Sequence, residues 1–180
     1  MSCGALTSAF DYECDDSIGG IKQATILVAQ FTSITASTVA AGEITSLTQS
    51  TGTKFYRYKA KKYIAGAVTT ETHDPLSGTT VYDTVLQTML NKLSSAKNVE
   101  LQLLVSKPTV VIYQDNQDIW HCIGLSNGAE KMGGTNGSQT GTAAADQNGY
   151  QIAWTSSEKQ YPYTVAAGVV AGLSIVGSAS

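Results

Sequence analysis

The residue types that most often carry chemistry are sparse in this 180-residue chain, and they do not gather. Two histidines, His73 and His121, and three cysteines, Cys3, Cys14 and Cys122, are spread over its length. Nucleophilic catalysis needs a base within hydrogen-bond reach of the nucleophile and a third group to orient that base. No local motif here spells out such a set. Zinc centres bring ligands in close pairs such as CxxC or HxxxH, and neither spacing occurs. His73 precedes an Asp-Pro turn and His121 falls in an extended run, so both read as structural. The run MGGTNGSQTG, residues 132–141, has glycines but lacks the Lys-Ser/Thr of a phosphate-binding loop, and no helical pattern follows it. Asp115 and Asp118 flank a tight turn, where acids either shape the turn or hold a cation. Asp83, Glu130 and Glu158 are far apart in sequence, and no carboxylate pair is assigned among them. No catalytic, cofactor-binding or metal-binding residue is therefore assigned, no cofactor is expected, and the chain reads as a non-enzyme.

Composition points towards assembly. Charged residues make up 14% of the chain, against about a quarter in an ordinary soluble domain. Hydrophobic residues reach 42%, enough for a packed core and too many for general disorder. The surface must then be built from Thr, Ser, Gln, Asn and Gly, which suits a surface that ends against another subunit. A net charge of −3 and a pI near 5.2 argue against a nucleic-acid grip as the global role. The charges are nonetheless clustered. Five of the eleven basic residues fall in one stretch, Lys54, Arg57, Lys59, Lys61 and Lys62, and four acids, Asp11, Glu13, Asp15 and Asp16, crowd the N-terminal segment. Such blocks pair within a subunit, pair across subunits, or stand apart as solvated patches. Cys3 and Cys14 could pair by spacing, though nothing requires it. Residues 1–10 have no basic stretch followed by a long apolar one, so no signal peptide is expected and the thiols read as reduced and cytoplasmic in origin.

The elements that position these residues are mostly extended. Residues 1–20 read as an irregular arm, 21–31 (IKQATILVAQF) as a buried strand, 32–42 as a loop or edge, and 43–49 (EITSLTQ) as a short strand. Residues 54–72 alternate, with Phe55, Arg57, Lys59 and Lys61 on one face and Tyr56, Tyr58 and Ala60 on the other. Residues 73–78 (HDPLSG) form a turn. From about 80 to 96 the spacing of Val81, Val85, Met89 and Leu93, with Tyr82, Leu86 and Leu90 beside them, predicts an amphipathic helix with Thr80 as N-cap. Strands are expected at 99–105, 109–114 and 119–125, a long Gly/Asn-rich loop at 126–149, and a strand at 150–156. The charge-free tail, 165–180, is shorter than the about 20 apolar residues a membrane span needs. It is expected to be buried, as a last strand or as an arm on a neighbour. The organisation is therefore an N-terminal arm (1–20), a single mainly β domain (21–164) and a C-terminal strand or arm (165–180). The fold class is a β-sandwich or barrel with one flanking helix.

Several stretches resemble a known group. VVIYQDNQD, IGLSNGAEKMGG and TGTAAADQNGYQIAWTSSEKQYPYTV, between residues 109 and 165, resemble virion structural proteins of tailed bacteriophages, those of the Bacteroides and Flavobacterium group in particular. CDDSIGGIKQATI, residues 14–26, is similar to the opening of the same proteins. The resemblance covers about half the chain and rests on turn-and-strand patterns. The order of elements looks most like a tail tube protein. That likeness implies a homo-oligomer stacked as hexameric rings around a conduit for DNA, located in the virion and made in the host cytoplasm. Its partners would be itself, other virion proteins and transiently passing DNA, with no membrane insertion. Residues 54–72 would match the long hairpin or loop that reaches the next ring, and the helix at 81–95 would lie outside the barrel at the subunit boundary. The N-terminal arm and the tail, through Val165, Val169, Val170, Leu173, Ile175 and Val176, would make subunit contacts. Lysines facing a conduit would retard DNA, so the basic run is expected to pair with acids of a neighbour, Asp11–Asp16 among them.

Other roles share some of these features. A head decoration, head-completion or connector protein of the same virion would have a similar composition. A carbohydrate- or host-binding module would use the nine tyrosines, Trp120, Trp154 and the Gly/Asn-rich loop.

Overall fold

The runs ILVAQ and TVVIYQ are apolar at successive positions, so as strands they need cover on both faces. In the computed structural model, which describes residues 18–61, 63–143 and 145–177, they form β1 (Ile26–Gln30) and β7 (Thr109–Gln114). The two pair antiparallel in the middle of an eight-stranded sheet. Beyond β1 lie β4 (Phe55–Tyr58) and the short β12 (Ile175–Val176). Beyond β7 lie β8 (Trp120–Ile123), β11 (Tyr163–Val165), β3 (Glu43–Gln49) and, at the edge, β2 (Ile34–Ala40). A four-stranded sheet runs in the order β5 (Gly66–Asp74), β6 (Thr79–Asn91), β10 (Gly149–Glu158), β9 (Glu130–Gln139). Helix α1 (Ser95–Val105) links β6 to β7, and the short α2 (Ala167–Ala171) lies between β11 and β12. The fold is mainly β, two sheets with one long flanking helix, in the class the sequence implies.

Strand alternation divides the apolar residues between two cores. Ile26 and Val28 of β1, Val111 and Tyr113 of β7, and Ile123 of β8 pack towards the small sheet, against Leu86, Ile152 and Trp154, with Leu101 of α1. The opposite faces of the same strands supply Leu27, Ala29, Val110, Ile112 and Cys122 to a second core. That core also holds Phe55, Ile44, Val165, Val170 and Leu173. The large sheet must curl to make it. In a flat sheet β3 and β4 would lie five strand spacings apart, about 24 Å. The link from Gln49 to Phe55 spans at most about 20 Å when extended, and a turn from Ser50 O to Thr53 N shortens it further. The chain from β11 through α2 to β12 then closes the curl, with Ser174 N donating to Gln49 Oε1 at 2.8 Å and Phe55 N donating to Ser174 O at 2.8 Å.

The structure corrects several local expectations. Residues 80–96 are not a helix: β6 runs through Thr79–Asn91 and pairs with β10 along its length. A spacing of four residues marks one face of a helix, but it also marks one face of a strand, because four is a multiple of two. Residue type decides between them. TTVYDTVLQTMLN holds six β-branched residues and no Ala, Glu, Lys or Arg, a composition that favours extended backbone. The expected strand at 99–105 is instead the second half of α1. Ser94 caps it, its Oγ accepting from Lys97 N at 3.4 Å, and Ala, Lys, Glu, Gln and Leu carry it as good helix formers. The expected loop at 126–149 contains β9, held by β10 despite its glycines, with a register shift between Tyr150 and Ile152. Residues 54–72 are not one hairpin, since β4 and β5 belong to different sheets. The long hairpin is β5–β6.

Candidate assembly surface

The groups considered first for chemistry are held in structural roles. Asp115 Oδ1 accepts from Gln117 N and Ile119 N, both at 2.9 Å, and Oδ2 lies 3.0 Å from His121 Nε2. Burial pushes the Asp115 carboxyl up, but the bonds from His121, Ile119 and Gln117 outweigh it and the net shift is downward. Asp118 pairs with Lys22. The turn reading of these acids therefore accounts for their contacts. His73, on the other sheet, bonds Thr80 Oγ1 through Nδ1 at 2.9 Å across the β5–β6 pair. Cys122 is fully buried and its thiol is pushed up by that burial, which removes it as a nucleophile. Cys3 and Cys14 lie outside the described residues. Among the described residues no three His, Cys, Asp or Glu side chains come together as a metal site, and no helix is long and apolar enough to cross a membrane.

The predicted contact residues separate into three groups. Val165, Val170 and Leu173 are buried in the second core, and Val169 and Ile175 pack against it. These five serve the chain's own fold, and burial there removes Val165, Val170 and Leu173 from any contact with a neighbour. Val176 remains exposed, at 41%. Asp11, Glu13, Asp15, Asp16 and Lys62 lie outside the described residues. Lys54, Lys59 and Lys61 are exposed, whereas Arg57 is half-buried and donates from Nη1 to Ala24 O at 2.8 Å. Their expected common face does not hold through Phe55, which is fully buried in the second core.

Lys59 and Lys61 share a cavity of about 820 Å³ with residues far away in sequence. Its walls are β4 with the turn after it, the end of β6, and α1. Among the described residues Arg57, Lys59, Lys61, Lys97 and Lys107 line it, with Glu100 as the one acid. Val28, Tyr58, Leu90, Leu101 and Leu104 provide apolar lining. The Tyr58 hydroxyl is pushed up to about 12, first by burial and then by the Glu100 charge. Lys97 is fixed in the wall by donating from Nζ to Asn91 O and Lys92 O. The contributions of Lys97 and Lys107 were not legible in the sequence, because only the placement of α1 beside β4 brings them to Lys59 and Lys61.

The second feature is an uncharged sheet edge. β2 and β3 form a hairpin whose turn, Ala41-Gly42, has φ of +50 and +83, the two positive values of a type I′ turn. Six of the seven β2 residues are exposed. On β3, Ile44 is buried and Leu47 and Gln49 are half-buried, while the rest are exposed. Residues 34–49 contain one charge, Glu43, and no Lys or Pro. β2 is the terminal strand of the large sheet, so its outer row of backbone groups faces away from any strand of the described residues. Monomeric proteins usually blunt such an edge with lysine, proline, a bulge or a covering element; β2 has no lysine or proline, and its pairing with β3 shifts register between Ile34 and Ala36 and between Thr38 and Val39.

The β5–β6 hairpin presents a second outlying surface. Val68 on the β5 edge is 68% exposed and Leu76 at the tip is 98% exposed. The tip is well built: Leu76 N donates to Asp74 Oδ1 at 3.0 Å and Gly78 N to Asp74 O at 2.9 Å. Tyr161 braces the hairpin, packing its ring against that of Tyr82 with centroids 4.5 Å apart and planes tilted by 52°, and donating to Glu71 Oε2 at 2.9 Å. No family model, curated protein or solved structure compared with this chain matches it.

Proposed function

We propose that this protein is a structural subunit that assembles with copies of itself, most in keeping with the tail tube of a bacteriophage virion. The observation that carries the assembly reading is β2, the terminal strand of the large sheet, which is exposed at six of its seven residues and contains no charged residue and no proline. Backbone groups on such an edge are satisfied by water in the free subunit and by another strand in an assembly, the geometry of β-augmentation. The exposed Leu76 and Val68 of the β5–β6 hairpin offer a second contact surface, on the other sheet. Two contacts of different direction are what a stacked ring requires, one around the ring and one along the stack. The virion assignment rests on the resemblance of residues 14–26 and 109–165, and on a low-charge surface.

The test is sedimentation velocity across a concentration series at two salt concentrations. A strand-edge contact without charge predicts association that grows with protein concentration and changes little between low and high salt. A single monomeric species at every concentration and both salts would remove the assembly reading.

A further inference from the structure

We propose that the groove between α1 and β4 is the docking site of the chain's own acidic N-terminal segment, residues 10–16. Three observations converge on it. The first is charge: among the described residues five basic side chains and one acid line the groove, and four of the seven residues in FDYECDD are acidic. The second is pattern. Over residues 10–15 an extended segment would place Phe10, Tyr12 and Cys14 on one side and Asp11, Glu13 and Asp15 on the other, with Asp16 ending the apolar side. A groove with Val28, Tyr58, Leu90 and Leu104 below and Lys61, Lys97 and Lys107 around it fits such a two-sided strip, apolar face down and acids outward.

The third observation is reach. Ile21 N donates to Ala65 O at 3.3 Å, and Ile64 N donates to Lys61 O at 3.3 Å. The chain therefore enters the described structure beside the turn that rims the groove. Residues 10–16 stand two to eight positions before Ile18, within roughly 7–29 Å of it along an extended chain. A site so close to the attachment point sees the segment at an effective concentration in the millimolar range, so weak individual contacts suffice. The acids of the same chain hence reach these lysines before those of a neighbour do. The inference does not depend on the assembly reading and goes beyond it, since no β2 or β3 residue lines the groove.

Zero-length carbodiimide cross-linking of the full chain, in an equal mixture of unlabelled and nitrogen-15-labelled protein, tests it. Lys22–Asp118, an ion pair on the surface, is the internal control. The expected result is linkage of Asp11, Glu13, Asp15 or Asp16 to Lys61, Lys97 or Lys107, with both peptides carrying the same isotope. Links of which about half are of mixed isotope, the random share for contacts between copies in an equal mixture, would assign the groove to a second copy. Absence of these links while Lys22–Asp118 forms, or links only to lysines outside the groove, would overturn the proposal outright. Amide exchange separates docking from chance encounter. Residues 10–16 should exchange about tenfold faster in the Lys61→Glu, Lys107→Glu double variant than in the wild type. Equal exchange in the two proteins contradicts docking.

Discussion

The ring of Tyr58 meets that of Trp154 edge to face, with centroids 5.7 Å apart and planes at 83°. This one contact joins β4 of the large sheet to β10 of the small sheet, and Trp154 is fully buried beneath it. Tyr58 also lines the basic groove, so the residue that ties the sheets together forms part of the groove's lining. Replacing it by leucine keeps much of the apolar volume and removes the aromatic pair, which contributes about 1 kcal/mol beyond area burial. Tyr58→Leu should lower the urea midpoint, followed by Trp154 fluorescence. An unchanged midpoint would show that the ring contact contributes nothing to joining the sheets.

Alkaline pH should act through the same residue. The hydroxyls of Tyr58 and Tyr113 are both pushed up to about 12, chiefly by burial. In the unfolded chain each ionises near 10. Between these values the unfolded chain has lost protons that the folded one retains, so stability falls as pH rises. The loss should begin near pH 10 and level off as the folded pKa is passed. Thermal melts between pH 8 and pH 11, with absorbance at the tyrosinate band, measure it. A melting temperature that stays flat to pH 11 would contradict the buried placement of the two hydroxyls.

The Asp115 turn should govern acid sensitivity. Its carboxyl is held below the ordinary range in the folded chain, so it contributes stability above the unfolded carboxylate pKa, about 3.9, that is lost as pH falls through the folded value. Asp115→Ala removes the acceptor of two backbone N–H groups and the partner of His121. It should destabilise the fold by about 1–3 kcal/mol at neutral pH, and the difference from wild type should shrink as pH falls below about 3.9. A constant difference across that range would show that the charge of Asp115 is irrelevant to its role.

Charge on the β2 edge should separate folding from assembly. Ala36 and Thr38 are exposed on the terminal strand. Ala36→Lys with Thr38→Lys should leave the melting temperature within a few degrees of wild type, because neither side chain is packed, and should abolish self-association. Undiminished association would place the contact elsewhere, with the β5–β6 hairpin the next surface to change.

The fold class was legible in the sequence because burial on one or two faces writes itself as apolar alternation. β3 and β7 occupy the residues predicted for them, 43–49 and 109–114, and β1 falls inside 21–31. The helix was misplaced because Val81, Val85 and Met89 fit both periods, while Val99, Leu101, Leu103 and Val105 alternate within what is in fact a helix. Leu101 is buried there, and Val99, Leu103 and Val105 are exposed. In both segments β-branching and helix-former content carried the information that spacing lacked. β9 was hidden by its glycines, since its extended form depends on pairing with β10 rather than on its own preferences. The basic run was visible, but its grouping with Lys97 and Lys107 is a product of tertiary placement. The tail's expected burial holds for Val165, Val170 and Leu173, while Val176 is exposed. The tail's partner was not foreseen, because a charge-free apolar segment carries no sign of whether it covers its own sheet or a neighbour's.

The central claim is that this chain builds a homo-oligomer through its uncharged strand edge. Negative-stain electron microscopy of the purified protein over a wide concentration range tests it most directly. The account predicts rings or stacked tubes with a central hole, absent from the Ala36→Lys, Thr38→Lys variant. Isolated single subunits at every concentration, indistinguishable from that variant, would contradict it.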